Sequence, residues 1–179
     1  TIQAAVNQVT AGGQVFVAAG TYPESVLVNK AVTITGAGPA TTIIDPIGEV
    51  KITSGDVTIE DLTVQNGNPH GVRIENIPTT LPNITFDNVH FKTNTARGLE
   101  ISATKVTNIQ VLNSLFDGNV TGIRMSSSAV AEGFIIDNTM FQNHPNTSSG
   151  IGFYQANDGA DGYVKDLHVT QSGFTGSGF

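Results

Sequence analysis

A chain of 179 residues with 39% apolar and only 13% charged side chains is long enough for one sizeable core and too apolar to remain disordered. Its net charge of −7 argues against nucleic acid, and no apolar stretch approaches the ~20 residues of a membrane span. The absence of cysteine excludes disulfides, thiol catalysis and zinc–thiolate sites together.

The chain opens at Thr1 without an initiator methionine, as expected after removal of a leader. Ile2, Val6 and Val9 fall at helical spacing, with Thr1 as N-cap and Gly12-Gly13 as a stop signal. A short capping helix within residues 1–13 is expected, laid over the raw strand edges of the first turn. Alternating runs at 15–17, 26–28, 32–34, 42–44 and 50–52 then read as opening strands.

From residue 57 onward the chain repeats itself. Residues 57–64, 84–91, 109–116, 134–141 and 167–174 align, with Asp61, Asn88, Asn113, Asn138 and Gln171 at the fifth position, in steps of 27, 25, 25 and 33. A second phrase, residues 71–74, 98–101, 122–125 and 150–153, shares that period. Two phrases with one period of about 25 residues predict a solenoid. Each turn carries three short strands, which can bury a face only by stacking in parallel. Parallel crossovers are right-handed. The fold class predicted is therefore all-β, a single right-handed parallel β-helix over residues 14–179.

Alternation sets the phase. Ile84, Phe86, Val89, Phe91, Leu99 and Ile101 should point inward, and Thr85, His90 and Glu100 outward. Val64, Phe91, Phe116, Phe141 and Phe174 then form a core stack rather than a sugar platform. Asp61, Asn88, Asn113, Asn138 and Gln171 should hold left-handed bends and form a ladder of side-chain hydrogen bonds. After Phe174 no third strand or cap follows, so the natural protein is expected to continue past 179, or another chain to pair with this end.

The opening, with Ala19-Gly20-Thr21-Tyr22-Pro23-Glu24, residues 32–38 and Thr42-Ile43-Ile44-Asp45, resembles that of pectin-lyase-like β-helix proteins. The repeats resemble them over essentially the whole chain. That superfamily includes pectate lyases, pectin methylesterases, polygalacturonases, alginate epimerases and surface proteins without known activity. The resemblance implies the fold far more than the chemistry. The Asp-Phe-Ile-Phe-Gly phrase of the esterases and the Gly-His-Gly and Arg-Ile-Lys phrases of polygalacturonases are absent, and Asn68-Pro69-His70-Gly71 echoes the epimerase Asp-Pro-His without its carboxylate. No catalytic residue is assigned.

Arg73, Glu100 and Arg124 occupy equivalent outward positions in successive turns, followed by Gly152, with Glu75 and Arg97 close by. In the enzymes this chain resembles, that face often forms a sugar-acid cleft, where arginine grips carboxylates. The plainer alternative is a cross-strand ion ladder. Glu75 and Glu100, on neighbouring turns, could approach the spacing of a glycoside-cleaving acid–base pair, the commoner alternative being two solvated acids. Asp158 and Asp161, in the longest insert, are the candidate Ca²⁺ ligands, and no other cofactor is indicated. His70, His90, His144 and His168 are scattered, and the sequons at Asn83, Asn119 and Asn146 fit the background of an Asn/Thr-rich chain. The function expected is a non-catalytic module of a secreted or cell-surface protein: scaffold, adhesin or fibre subunit, contacting polysaccharide and self-associating end to end. The alternative is an enzyme on acidic polysaccharide.

Overall fold

The computed structural model describes residues 1–75, 80–145, 153–155 and 162–175. Among these described residues one short helix is followed by eighteen strands that wind as a parallel solenoid: twelve form a bent sheet over two sides and six a separate sheet on the third. The repeat read in the sequence is the stacking register. Val57, Ile84, Ile109, Phe134 and Leu167 align strand by strand, as do Val64, Phe91, Phe116, Phe141 and Phe174.

The inward phase holds. Ile84, Phe86, Val89, Phe91, Leu99 and Ile101 are fully buried. The rings of Phe91, Phe116, Phe141 and Phe174 lie nearly parallel with centroids 4.4, 4.7 and 4.9 Å apart. Such offset stacking adds to the area each ring removes from water. The glycine of the second phrase belongs to the same packing: a Cβ on Gly98 would lie 2.6 Å from the Phe116 ring. A larger residue there would displace the column.

Helix α1, Ile2–Gln8, is capped by Thr1, whose hydroxyl accepts from the Ala4 N–H at 3.1 Å, and it buries Ile2 and Val6. It stops at Gln8, ahead of Gly12-Gly13, because Val9 turns extended and packs against the core. Glu24 fixes it to the first turn, its carboxylate accepting from the Ile2 and Gln3 N–H groups at 2.8 and 3.1 Å. Gly20–Tyr22 is a strand the alternation did not predict.

Asp61, Asn88, Asn113, Asn138 and Gln171 all have positive φ, between 47° and 57°. The ladder between them is broken, however. Asn88 Nδ2 donates to Asp61 Oδ1 at 2.7 Å and Asn138 Nδ2 to Asn113 Oδ1 at 2.9 Å, but Asn113 Nδ2 turns to Asp87 Oδ1 at 2.7 Å. A charged carboxylate outcompetes the neutral amide of Asn88 as acceptor. At the last step Thr170, beside Gln171, donates to Asp137 at 2.6 Å. Two further columns of left-handed residues were missed: Asp56, Asn83, Asn108, Gly133 and Asp166, and Asn66, Thr93, Gly118 and Asn143.

A buried polar column also went unpredicted. Asn94, Asn119 and His144 sit one turn apart at 1%, 0% and 4% exposure. Asn119 Oδ1 accepts from the Asn94 N–H at 3.1 Å and from Asn94 Nδ2 at 2.9 Å, while its Nδ2 donates to the Phe91 carbonyl at 2.9 Å. The Asn119 carbonyl lies 2.6 Å from His144 Nδ1. A carbonyl can only accept, so Nδ1 carries the proton.

Candidate functional site: a cationic stripe on the third sheet

The third sheet aligns Lys51, Arg73, Glu100 and Arg124 in one outward column. Arg97 pairs with His70 in the column beside it. The three residues predicted to share a stripe do share it, and Lys51 joins them unforeseen. The position opposite Arg124 on the next strand is Tyr154, not Gly152. The strand there is Phe153–Gln155: Phe153, the last residue of the Gly150 phrase, pairs with Ile123, so the step from Arg124 to its partner Tyr154 is 30 residues.

Ion pairs join these side chains into two groups. Glu75 receives Lys51 Nζ at 2.8 Å and Arg73 Nε at 3.1 Å, while Glu49 lies 3.8 and 3.7 Å from the same two cations. Arg73 Nε also donates to Ser102 Oγ at 3.0 Å. Farther along, Glu100 Oε1 accepts from Arg124 Nη1 at 2.6 Å and its Oε2 lies 3.7 Å from Arg97 Nε. Glu75 and Glu100 therefore share no ion-pair partner, and each is held by its own cations.

Burial sets the electrostatics. Glu100 points outward in phase but is only 4% exposed, covered by the arginines around it. Burial raises its pKa above the usual carboxylate range, and Arg124 and Arg97 pull the other way. Glu49 is raised by burial too, against Arg73 and Lys51. His70 is pushed down to about 4 by burial, with the positive charges of Arg97, Arg73 and Arg124 acting in the same direction. Three buried polar atoms here, His70 Nδ1, Glu49 Oε2 and Glu100 Oε2, make no hydrogen bond. At the N-terminal end, Glu49 and Lys51 border a hollow of about 390 Å³ with Gln3, Ser25, Val26, Leu27 and Gly48.

Asp158 and Asp161 lie outside the described residues. Among the described residues no group of three or more His, Asp or Glu side chains is placed to hold a metal ion. His90 and His144 lie away from the stripe, with pKa values lowered mainly by burial. Of the sequons, Asn119 is fully buried with both ends of its amide engaged, Asn83 is exposed, and Asn146 is outside the described residues.

A family model described as the right handed beta helix region matches residues 41–141, more than half of the sequence, and the chain belongs to that family. No curated protein matches it. Among solved structures it resembles a Geobacillus virus E2 protein, ORF18, at 18% identity and a TM-score of 0.53, covering 93% of this chain and 44% of that one. It also resembles the pectin methylesterase of Aspergillus niger, at 13% identity and a TM-score of 0.51, covering 97% and 81%. An alginate lyase from Paenibacillus sp. str. FPU-7 follows at 14% identity and a TM-score of 0.49, covering 96% and 72%. The chain thus spans less than half the length of the virus protein. The likenesses to the virus protein and the pectin methylesterase show the parallel β-helix fold and no particular chemistry.

Proposed function

We propose that the chain is a β-helix module of a secreted or cell-surface protein, a scaffold whose third sheet takes up a carboxylate-bearing polysaccharide without cleaving it. One observation carries this reading. In a chain of net charge −7 with eight basic residues, four of them, including every arginine, gather on one face of one sheet. Opposite them stand three carboxylates, Glu49, Glu75 and Glu100, which leave the patch with an excess of positive charge. Arginine forks match the planar carboxylates of uronic acids, and a stack of parallel strands repeats such groups about every 4.8 Å.

The test is binding of polygalacturonate and alginate against neutral glycans, at two salt concentrations, with products assayed in the same samples. Salt-sensitive binding to the acidic polymers alone, weakened by Arg97→Ala and free of products, is expected. Equal binding to neutral glycans, or none to any, would refute it. A second reading, an enzyme on the same polymers, is favoured by the buried Glu100 and the neutral His70 on that face, and product formation would select it. The scaffold reading includes self-association of the solenoid. Sedimentation that does not change with concentration would remove that part.

A further inference from the structure

The proposed anion face is largely closed upon itself in the folded chain, and one residue does most of the closing. Glu100 extends from the strand Arg97–Ile101 between two arginines, with Oε1 on Arg124 Nη1 at 2.6 Å and Oε2 3.7 Å from Arg97 Nε. It is 4% exposed, and Oε2 has no hydrogen-bond partner. An anion reaching for those two guanidinium groups would meet a carboxylate already seated between them.

We propose that Glu100 is a proton-operated latch: ionised, it occupies Arg97 and Arg124, and protonated, it releases both to an incoming carboxylate or sulfate. The proposal rests on the reading of this face as an anion-binding surface, and it adds the regulation of that surface. Ionised Glu100 leaves Arg97 and Arg124 a joint charge of +1, and a proton from solvent makes it +2. Like charges a few ångströms apart inside a protein surface repel strongly, so the ligand and the proton favour one another's binding.

The groups facing Glu100 support this assignment. From the preceding strand, His70–Ile74, come Arg73 in register with it and His70 in register with Arg97. Arg73 is held by Glu75 and Ser102, so it is not free to replace either partner of the latch. His70 is pushed down to about 4 and stays neutral while Glu100 titrates. From the following strand, Thr121–Met125, comes Arg124 itself. Glu49, Glu75 and Lys51 form the separate group nearer the N-terminus. Burial holds Glu100 above the ordinary carboxylate range, against the pull of Arg124 and Arg97, so it takes up its proton at a higher pH than a solvated glutamate.

The probe is dextran sulfate, whose charge does not change between about pH 7.5 and about pH 5, so that any pH dependence belongs to the protein. Binding to the intact chain is measured at both pH values, at one low ionic strength, for wild type, Glu100→Gln and Arg124→Ala. Wild-type affinity should rise roughly tenfold on acidification, a value discounted for solvent screening. Glu100→Gln should bind tightly at both pH values, and Arg124→Ala weakly at both. Calorimetry of wild type in buffers of different ionisation enthalpy should show proton uptake on binding at about pH 6, which needs no variant to fold. Binding without proton uptake, or a pH dependence that survives in Glu100→Gln, overturns the latch and leaves the anion face standing. Failure of all three proteins to bind at either pH overturns both.

Discussion

Replacing Phe116 by alanine tests the geometry on which every other inference depends. Its ring is fully buried between Phe91 and Phe141, at centroid distances of 4.4 and 4.7 Å and interplanar angles of 5° and 8°. Truncation removes the ring's transfer free energy and leaves a ring-sized void, which together cost about 3–5 kcal/mol in well-packed cores. Two stacked contacts are lost as well, each worth about 0.5–1.5 kcal/mol, so the upper part of that range is expected. The neighbours cannot relax inward, because the phenylalanines above and below are fixed in register by the strands that carry them. Thr85→Ala, on the outer surface one turn away, is the control and should cost less than about 0.5 kcal/mol. Urea unfolding followed by circular dichroism measures both. Because a stack of turns can unfold piecemeal, amide exchange of the strands at 84–91 and 134–141 should show whether the loss is local. Equal tolerance of the two substitutions, or a loss below about 1 kcal/mol at Phe116, would mean that the phenylalanine column is not the core.

Asn119→Ala should cost about 3 kcal/mol or more in the same assay, since it strands the buried Phe91 carbonyl and Asn94 amide at about 1–3 kcal/mol each. Glu24→Ala should loosen helix α1 by about 1–2 kcal/mol, seen as faster exchange of the amides at 4–8 with little change in the strands. For pH dependence, His70 titrates at about 4 folded against 6.5 for an unperturbed histidine, so the unfolded chain binds the extra proton. Its contribution therefore makes stability fall as pH drops from about 6.5 to about 4, whereas raised Glu49 and Glu100 act in the opposite sense, their burial costing less as they protonate. His70→Gln should flatten the acid side of a plot of urea midpoint against pH, and an unchanged slope would show that His70 is not its source.

The fold was legible because one physical demand, burial by stacking, writes itself into the sequence once per turn. Val57, Ile84, Ile109 and Phe134 had to recur in phase, and hydropathy alone reveals that recurrence. The polar column Asn94–Asn119–His144 recurs at the same 25-residue step, yet its members differ in type and bond largely to backbone of neighbouring turns, which residue pattern does not display. Gly152 was misplaced opposite Arg124 because the first three copies of the glycine phrase pair in register, whereas the fourth is shifted by two residues, so that Phe153 meets Ile123 and Tyr154 meets Arg124. Lys51 was overlooked because the opening strands lack the repeat phrase that aligned the later ones. Nor could the burial of Glu100 be read from alternation, which tells the direction of a side chain and not what its neighbours lay over it.

The order of charges along the stripe separates a structural ladder from a binding face. A ladder built for stability alternates in sign, since like charges directly opposed on neighbouring strands are unfavourable. Here the column runs Lys51, Arg73, Glu100, Arg124, with two cations side by side. Glu75 bridges that pair at 2.8 and 3.1 Å, which settles the N-terminal end. The excess lies at the other end, where Glu100 serves both Arg124 at 2.6 Å and Arg97 at 3.7 Å. Arg97, the more loosely paired of the two, should cost less than about 1 kcal/mol of stability when replaced by alanine. A purely structural stripe predicts nothing more from Arg97→Ala. A binding face predicts that the same variant, with its urea midpoint almost unchanged, loses much of its salt-sensitive affinity for polygalacturonate. Unchanged affinity alongside unchanged stability would reduce the stripe to surface decoration on a well-packed solenoid.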